Sequence, residues 1–197
     1  NTKEIISKYS KYCRLFFIEN SGVEAASNFG IRKAVAPYFI RLDADDSLKN
    51  SLVETLLISI QASNAKFAYA NYDHIDENSF VTKEFKLPLF NIEEIFSRGD
   101  FLASGTLVCK KMFFELGCYN ETYKNCGLEN YEFILKALRK GFEGILVKEN
   151  LFNYRVHSNN LSVKRRDSLV EYGHNLFQRE GYGEFTTNEF HPYSLKL

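Results

Sequence analysis

Net charge is the first thing this chain lacks. Its 25 basic and 25 acidic side chains cancel over 197 residues, so there is no general attraction to nucleic acid or anionic lipid. A CxxC pair is also missing: Cys13, Cys109, Cys118 and Cys126 lie far apart. Cys118 and Cys126 are near enough in sequence for a disulfide, but nothing asks for one, and ordinary reduced thiols are expected. No apolar run approaches the ~20 residues needed to cross a bilayer, and the first residues carry no secretory pattern. Internal repeats, low-complexity tracts and linkers are absent as well. The length is about one domain's worth, so a single domain over 1–197 in a cytosolic setting is expected.

What is present alternates. Ile5, Ile6, Tyr9 and Cys13 fall at helical spacing and precede the strand-like "RLFFIE". "GVEAASNFGIRKAVA" is Ala-rich and amphipathic, and Pro37 ends it. "YFIRL" is a candidate buried strand. "SLKNSLVETLLISIQAS" repeats Leu48, Leu52, Leu56 and Ile60 every fourth residue, predicting a helix with Ser47 as its N-cap. "KFAYANYDHI" predicts another strand. Short connections between alternating helices and strands point to a mainly parallel sheet with helices on its faces. The second half offers strands in "FVTKEFKL", "GTLVC", "GILV" and "LFNYRVH". Helices are predicted in "NIEEIF", "LENYEFILKALRKG" and "RDSLVEYGHNLFQRE".

One stretch conflicts with its neighbourhood. After the apolar "YFIRL" come three carboxylates, Asp43, Asp45 and Asp46. Like charges that close resist burial unless something compensates them. In an open parallel sheet, ligands bind beyond the carboxyl ends of strands, where these acids fall. A divalent cation with hard oxygen ligands would account for them, and Asp-x-Asp suits a metal–diphosphate clamp better than a closed ion cage. Two alternatives compete. An EF-hand register is partly met by Asp43, Asp45, Ser47, Ser51 and Glu54, but Leu48 holds the position that requires glycine. Otherwise the acids occupy a turn, with Asp46 or Ser47 capping the next helix. The basic "VKRRD" at 163–167 is either a solvated helix start or an anion site.

Four blocks resemble the family 2 glycosyltransferases, enzymes of GT-A fold that use nucleotide-diphosphate sugars. They are "ENSGVEAASNFGIRKAVAPYFIRLDADD" (19–46), "YANYDHIDEN" (69–78), "GTLVCKKMFFELGCYNETYKNCGLENYEF" (105–133) and "LFNYRVHSNNLS" (151–162). The resemblance implies a GT-A-like α/β fold, a mainly parallel mixed sheet flanked by helices. It also implies metal-dependent, inverting transfer of a sugar to a glycan or lipid-linked acceptor, in cell-surface polysaccharide synthesis. Mn²⁺ or Mg²⁺ would be the cofactor. The setting implied is cytoplasmic, including peripheral association with the membrane's cytoplasmic face.

The same resemblance assigns residues. Asp45 and Asp46 would hold the metal and diphosphate, Asp43 the nucleotide side, and His157 of "YRVH" would reach the metal from the C-terminal part. Asn20 and Asn28 would face the nucleotide, or else serve as a helix cap and a packing group. Gly22 and Gly30 would allow close backbone approach. His74 has less support, and Asp73 and Asp76 are expected as loop carboxylates. Lys164, Arg165 and Arg166 could bind a diphosphate or lipid phosphate.

The base is the departure. Inverting transfer needs a group that takes the acceptor's proton, and the family places an Asp in a Glu-Asp pair for it. The matching residues here are Glu129 and Asn130, and an amide cannot accept a proton near neutral pH. Glu129 is then the base itself, an orienting group in an impaired site, or a helix N-terminal acid. The family's opening strands, which carry a nucleoside-binding acidic pair, have no counterpart before Asn1, so this chain is expected to be N-terminally incomplete and to bind donor weakly. The runner-up is a non-catalytic sugar-nucleotide or glycan-binding module. A nucleotidyltransferase comes third, since no Gly-rich phosphate loop is found.

Overall fold

The computed structural model describes residues 2–102, 104–158, 160, 164–191, 195 and 197. Two short helical stretches open it: α1 (Thr2–Ser7) and α2 (Val23–Lys33). β1 (Tyr38–Ile40) and the two-residue β2 (Ser47–Leu48) flank the acidic loop, and α3 (Leu52–Gln61) follows. Then come β3 (Phe67–Ile75), β4 (Val81–Phe85), α4 (Ile92–Arg98), β5 (Leu107–Cys109) and α5 (Lys110–Glu115). α6 (Glu129–Arg139), β6 (Gly144–Arg155) and α7 (Arg166–Glu180) complete it.

The sheet runs β1-β5-β3-β6-β2, with β4 added beside β3. It is mixed, but not mainly parallel. Among the described residues only the long β3–β6 pair is parallel, and the other four pairings are antiparallel. Every residue of β3 but one is buried, because helices and loops cover both its faces, which is why it reads as an unbroken apolar run. Phe67 on β3 lies opposite Gly144 on β6, and its ring fills the space a Cβ at 144 would need. That close approach accounts for the glycine.

α3 shows how burial selects its face. Leu52, Leu56 and Ile60 are buried against the sheet while Val53 and Ile58 look outward. The helix begins later than the fourfold leucine spacing predicts. Ser47 and Leu48 pair with β6 instead, so Ser47 is a strand residue and not an N-cap. Backbone pairing wins there because β6 offers a ladder and a cap satisfies only one amide.

Two other expectations change. "RLFFIE" forms no strand; Phe16, Phe17 and Ile18 are exposed, and no ladder partner exists for them among the described residues. "GILV" and "LFNYRVH" are one continuous strand, β6, with register shifts beside Ala70 and Asn71. Residues 159 and 161–163, part of the last resembling block and the start of "VKRRD", lie outside the described residues.

α2 is fastened to a distant loop by polar groups. The Glu24 carboxylate accepts the backbone N–H of Asn125 and of Cys126, both at 2.8 Å, while the Asn125 side chain accepts the N–H of Val23 at 2.9 Å. Asn28 adds two contacts to the Tyr119 backbone, donating to its carbonyl and accepting its N–H. These bonds hold residues 118–126 beside the start of α6.

Truncating Phe67, fully buried on the central strand, is expected to cost about 3–5 kcal/mol in Phe67→Ala. The exposed Phe80→Ala should stay within about 0.5 kcal/mol of wild type. Urea midpoints at fixed slope measure both.

Candidate active site

Each of the three acids after β1 has its own compensation. The Arg41 guanidinium lies beside Asp43, with Nε 3.3 Å from Oδ1. Asp45 Oδ2 lies 2.9 Å from His157 Nε2. Asp46 Oδ1 accepts the Arg155 backbone N–H at 3.0 Å. Arg155 then clamps the whole loop: its Nε donates to the Asp45 carbonyl at 2.9 Å, Nη1 to the Asp76 carbonyl at 2.6 Å and Nη2 to Ser79 at 3.1 Å. The end of β6 thereby ties the acidic loop to the β3–β4 turn. Arg155 sits inside "YRVH", and a guanidinium so close to an expected metal-binding histidine was the signal that could have marked it.

The donor types suit a divalent cation, although the ligand atoms of Asp45, Asp46 and His157 do not all lie within 4.8 Å of one another. Asp45 pairs with His157, while Asp46 Oδ2 is buried and makes no well-formed hydrogen bond among the described residues. Burial pushes the Asp46 carboxyl up to about 6, with the charges of Asp45 and Asp43 adding and the Arg155 amide and nearby Ser104 hydroxyl partly offsetting. A cation relieves both the orphaned oxygen and the repulsion. These are hard oxygen and imidazole ligands of the kind Mn²⁺ accepts. Among the described residues the cluster whose ligand atoms do lie within 4.8 Å of one another is Glu24, Cys126 and Glu129. Both Glu24 oxygens there already accept backbone amides, so packing accounts for that cluster.

Glu129 and Asn130 part company. Glu129 is 7% exposed, and its Oε1 receives Arg41 Nη1 at 2.6 Å. Arg41 therefore joins the acidic loop to the start of α6; burial opposes its charge, but the facing Glu129, Tyr119 and Asp43 outweigh that and keep the guanidinium charged. Asn130 accepts the Tyr119 hydroxyl at 2.9 Å and faces a narrow cleft. Arg41, Asp43, Asp100 and His74 line that cleft too. Glu129 is not among its lining residues; Arg41 stands where it would have to reach.

The remaining candidates scatter. Asn28 is 1% exposed, and Tyr119 and Glu121 occupy its amide, so its packing role is the one its contacts support. Asn20 accepts the Gly22 N–H at 3.4 Å, a local turn. Gly22 has φ 97° and crowds against Lys124, whereas Gly30 has open space and needs no glycine. Asp73 is a strand residue, not a loop carboxylate, and is ion-paired to Lys49 at 2.7 Å. Asp76 caps its turn by accepting the N–H of Asn78 and Phe80. Burial pushes the His74 imidazole down to about 4, so it is neutral at pH 7. Arg165 donates to the Asn125 carbonyl at 3.1 Å and lines a separate cleft with Lys124 and Glu171. Sequence reasoning missed Arg41 and Asp100; an isolated Arg in "YFIRL" and an Asp after glycine gave no periodic signal.

Arg41→Met leaves Glu129 buried without its partner, and is expected to lower stability by about 3–5 kcal/mol. Adding Glu129→Gln to that variant should recover a large part, as read by denaturant unfolding. The raised Asp46 carboxyl opposes folding most above pH 6, where it must ionise in place, and not at all below about pH 4, where folded and unfolded chains both hold the proton. In metal-free protein Asp46→Asn is thus expected to add ~1–2 kcal/mol at pH 8, after allowance for partial exposure, and nothing at pH 4. Thermal unfolding across that range checks the sign.

The model of the family described as "Glycosyl transferase family 2" matches residues 1–117. The glycosyltransferase GlyG of Streptococcus pneumoniae serotype 4 is 29% identical over 165 residues, covering 75% of this chain and 54% of that protein. The Escherichia coli UDP-Glc:alpha-D-GlcNAc-diphosphoundecaprenol beta-1,3-glucosyltransferase WfaP is 26% identical over 176 residues, covering 86% and 66%. The S. aureus TarS crystal structure in complex with UDP-GlcNAc superposes with a TM-score of 0.67 at 12% identity, over 89% of this chain and 52% of that one. The chain thus spans between about half and two thirds of these proteins. With a match over more than half its length, and a GT-A-like mixed sheet with its acids at the end of β1, the chain belongs to the family 2 glycosyltransferases.

Proposed function

We propose that the chain carries out metal-dependent, inverting transfer of a sugar from a nucleotide-diphosphate sugar to a glycan or lipid-linked acceptor, in cell-surface polysaccharide synthesis. The observation that carries this is the acidic loop after β1, where Asp43, Asp45 and Asp46 fall together and Asp45 Oδ2 lies 2.9 Å from His157 Nε2. Asp45, Asp46 and His157 would hold Mn²⁺ or Mg²⁺, which when bound neutralises charge on the departing diphosphate. Asp43 and Arg41 would meet the nucleotide and sugar side, with Arg41 holding the start of α6 in register. The S. aureus TarS structures in complex with UDP-GlcNAc and with UDP support a uridine-diphosphate donor. The name of WfaP supports a lipid-linked acceptor. No described helix is long and apolar enough to cross a membrane, which is compatible with work at a membrane surface.

A second reading has one specific observation behind it. Asn130 stands where the family has its acid, and Glu129 is engaged by Arg41. A module that binds sugar nucleotides without turning them over would tolerate both.

The test measures Mn²⁺ binding and UDP release from UDP-glucose and UDP-N-acetylglucosamine. Asp45→Asn and Asp46→Asn are each expected to weaken Mn²⁺ binding and to slow release about 100-fold or more. Binding of metal and donor with no release at all would favour the module. Mn²⁺ affinity unchanged in both variants would remove the acidic loop from the mechanism.

A further inference from the structure

We propose that Asp100 is the general base, supplying from the α4–β5 loop the carboxylate that position 130 lacks. The proposal rests on the transferase reading above.

Three observations on this loop converge. Asp100 and Asn130 line the same narrow cleft as Asp43 and Arg41. Asp100 is 2% exposed, and buried carboxylates away from a structural partner are rare. Among the described residues its hydrogen bonding is one contact within its own loop, Oδ1 accepting the Leu102 N–H at 3.2 Å. Asn130 Nδ2 in turn donates to the Leu102 carbonyl at 3.4 Å. The amide at 130 thus steadies the loop that carries the acid at 100. Roles that one residue combines in a Glu-Asp pair are divided here between a positioning amide and a separate carboxylate.

The other cleft carboxylates are committed. Asp43 is paired to Arg41, and Glu129 lies behind that same guanidinium. Burial lifts the Asp100 carboxyl well above the usual carboxylate range; the Glu129 charge adds and the Arg41 charge opposes. A carboxylate of raised basicity is better matched to a weakly acidic hydroxyl than an ordinary one.

The step balances without a further reactant. The acceptor oxygen forms a bond to the anomeric carbon as its proton passes to an Asp100 oxygen. The bond from that carbon to the diphosphate oxygen breaks, and its electron pair leaves with the nucleoside diphosphate. In hydrolysis, water takes the acceptor's place and yields the same proton.

Other titratable groups face this position and enter any pH profile. They are Arg41 and Asp43 beyond β1, Tyr72 and His74 on β3, Tyr154 on β6, and Glu129 and Tyr131 on α6. Tyr119 lies on the loop before α6, Arg98 at the end of α4 is engaged by Glu94, and His191 packs against Gly99.

Asp100→Asn keeps an oxygen for the Leu102 amide and so preserves the loop. With Mn²⁺ and UDP-glucose or UDP-N-acetylglucosamine as probes, it is expected to bind donor normally but release UDP about 100-fold more slowly. Adding Asn130→Asp to that variant should restore at least a tenth of the wild-type rate. The acid limb of the wild-type rate profile should lie above the ordinary aspartate range and move in the double variant. Release by Asp100→Asn within threefold of wild type overturns the proposal. So does an equal loss in the double variant, which would mark Asp100 as structural. Donor that never binds the wild-type protein overturns the transferase reading, and this proposal with it.

Discussion

One guanidinium holds two halves of the site together. Arg41 leaves the end of β1, pairs with Asp43 on the acidic loop and donates to Glu129 at the start of α6. Those acids lie 86 positions apart in the sequence, and in the partly dry interior each charge would be costly without the shared partner. Arg41 therefore couples the acidic loop to the start of α6. Remove it, and two carboxylates lose their shared partner.

A second basic residue performs a parallel task from the other flank. Arg155 ends the longest strand and reaches the Asp45 and Asp76 carbonyls through its side chain, while its backbone N–H meets the Asp46 carboxylate, so it holds the acidic loop at two points. On this side His157 touches an acid directly, through Asp45. The parallel β3–β6 pairing gives this arrangement its rigidity, since both strands are long and β3 is almost wholly covered.

The surroundings of Asn130 are built differently. Asn130, Tyr119 and the Leu102 backbone form a neutral hydrogen-bonded frame around the cleft. Within it burial perturbs some of the ionisable groups. His74 is pushed down to about 4 and stays uncharged, while Asp100 is pushed up. Burial of a carboxylate is a physical route to raised basicity.

Much of this was legible in one dimension. The period of Leu52, Leu56 and Ile60, the unbroken apolar run of β3 and the three acids after "YFIRL" follow from local rules: helix spacing, two-sided burial and the repulsion of like charges. The α/β class and the family likeness came with them. What no local rule contained was partnership. Ser47 became a strand residue because β6 arrived beside it, and "RLFFIE" stayed irregular because no strand did. The engagement of Glu129 by Arg41, and the meeting of Asp100 with Asn130 in one cleft, arise between segments that are distant in sequence. Their energies depend on burial and distance, and neither quantity exists until the chain has folded.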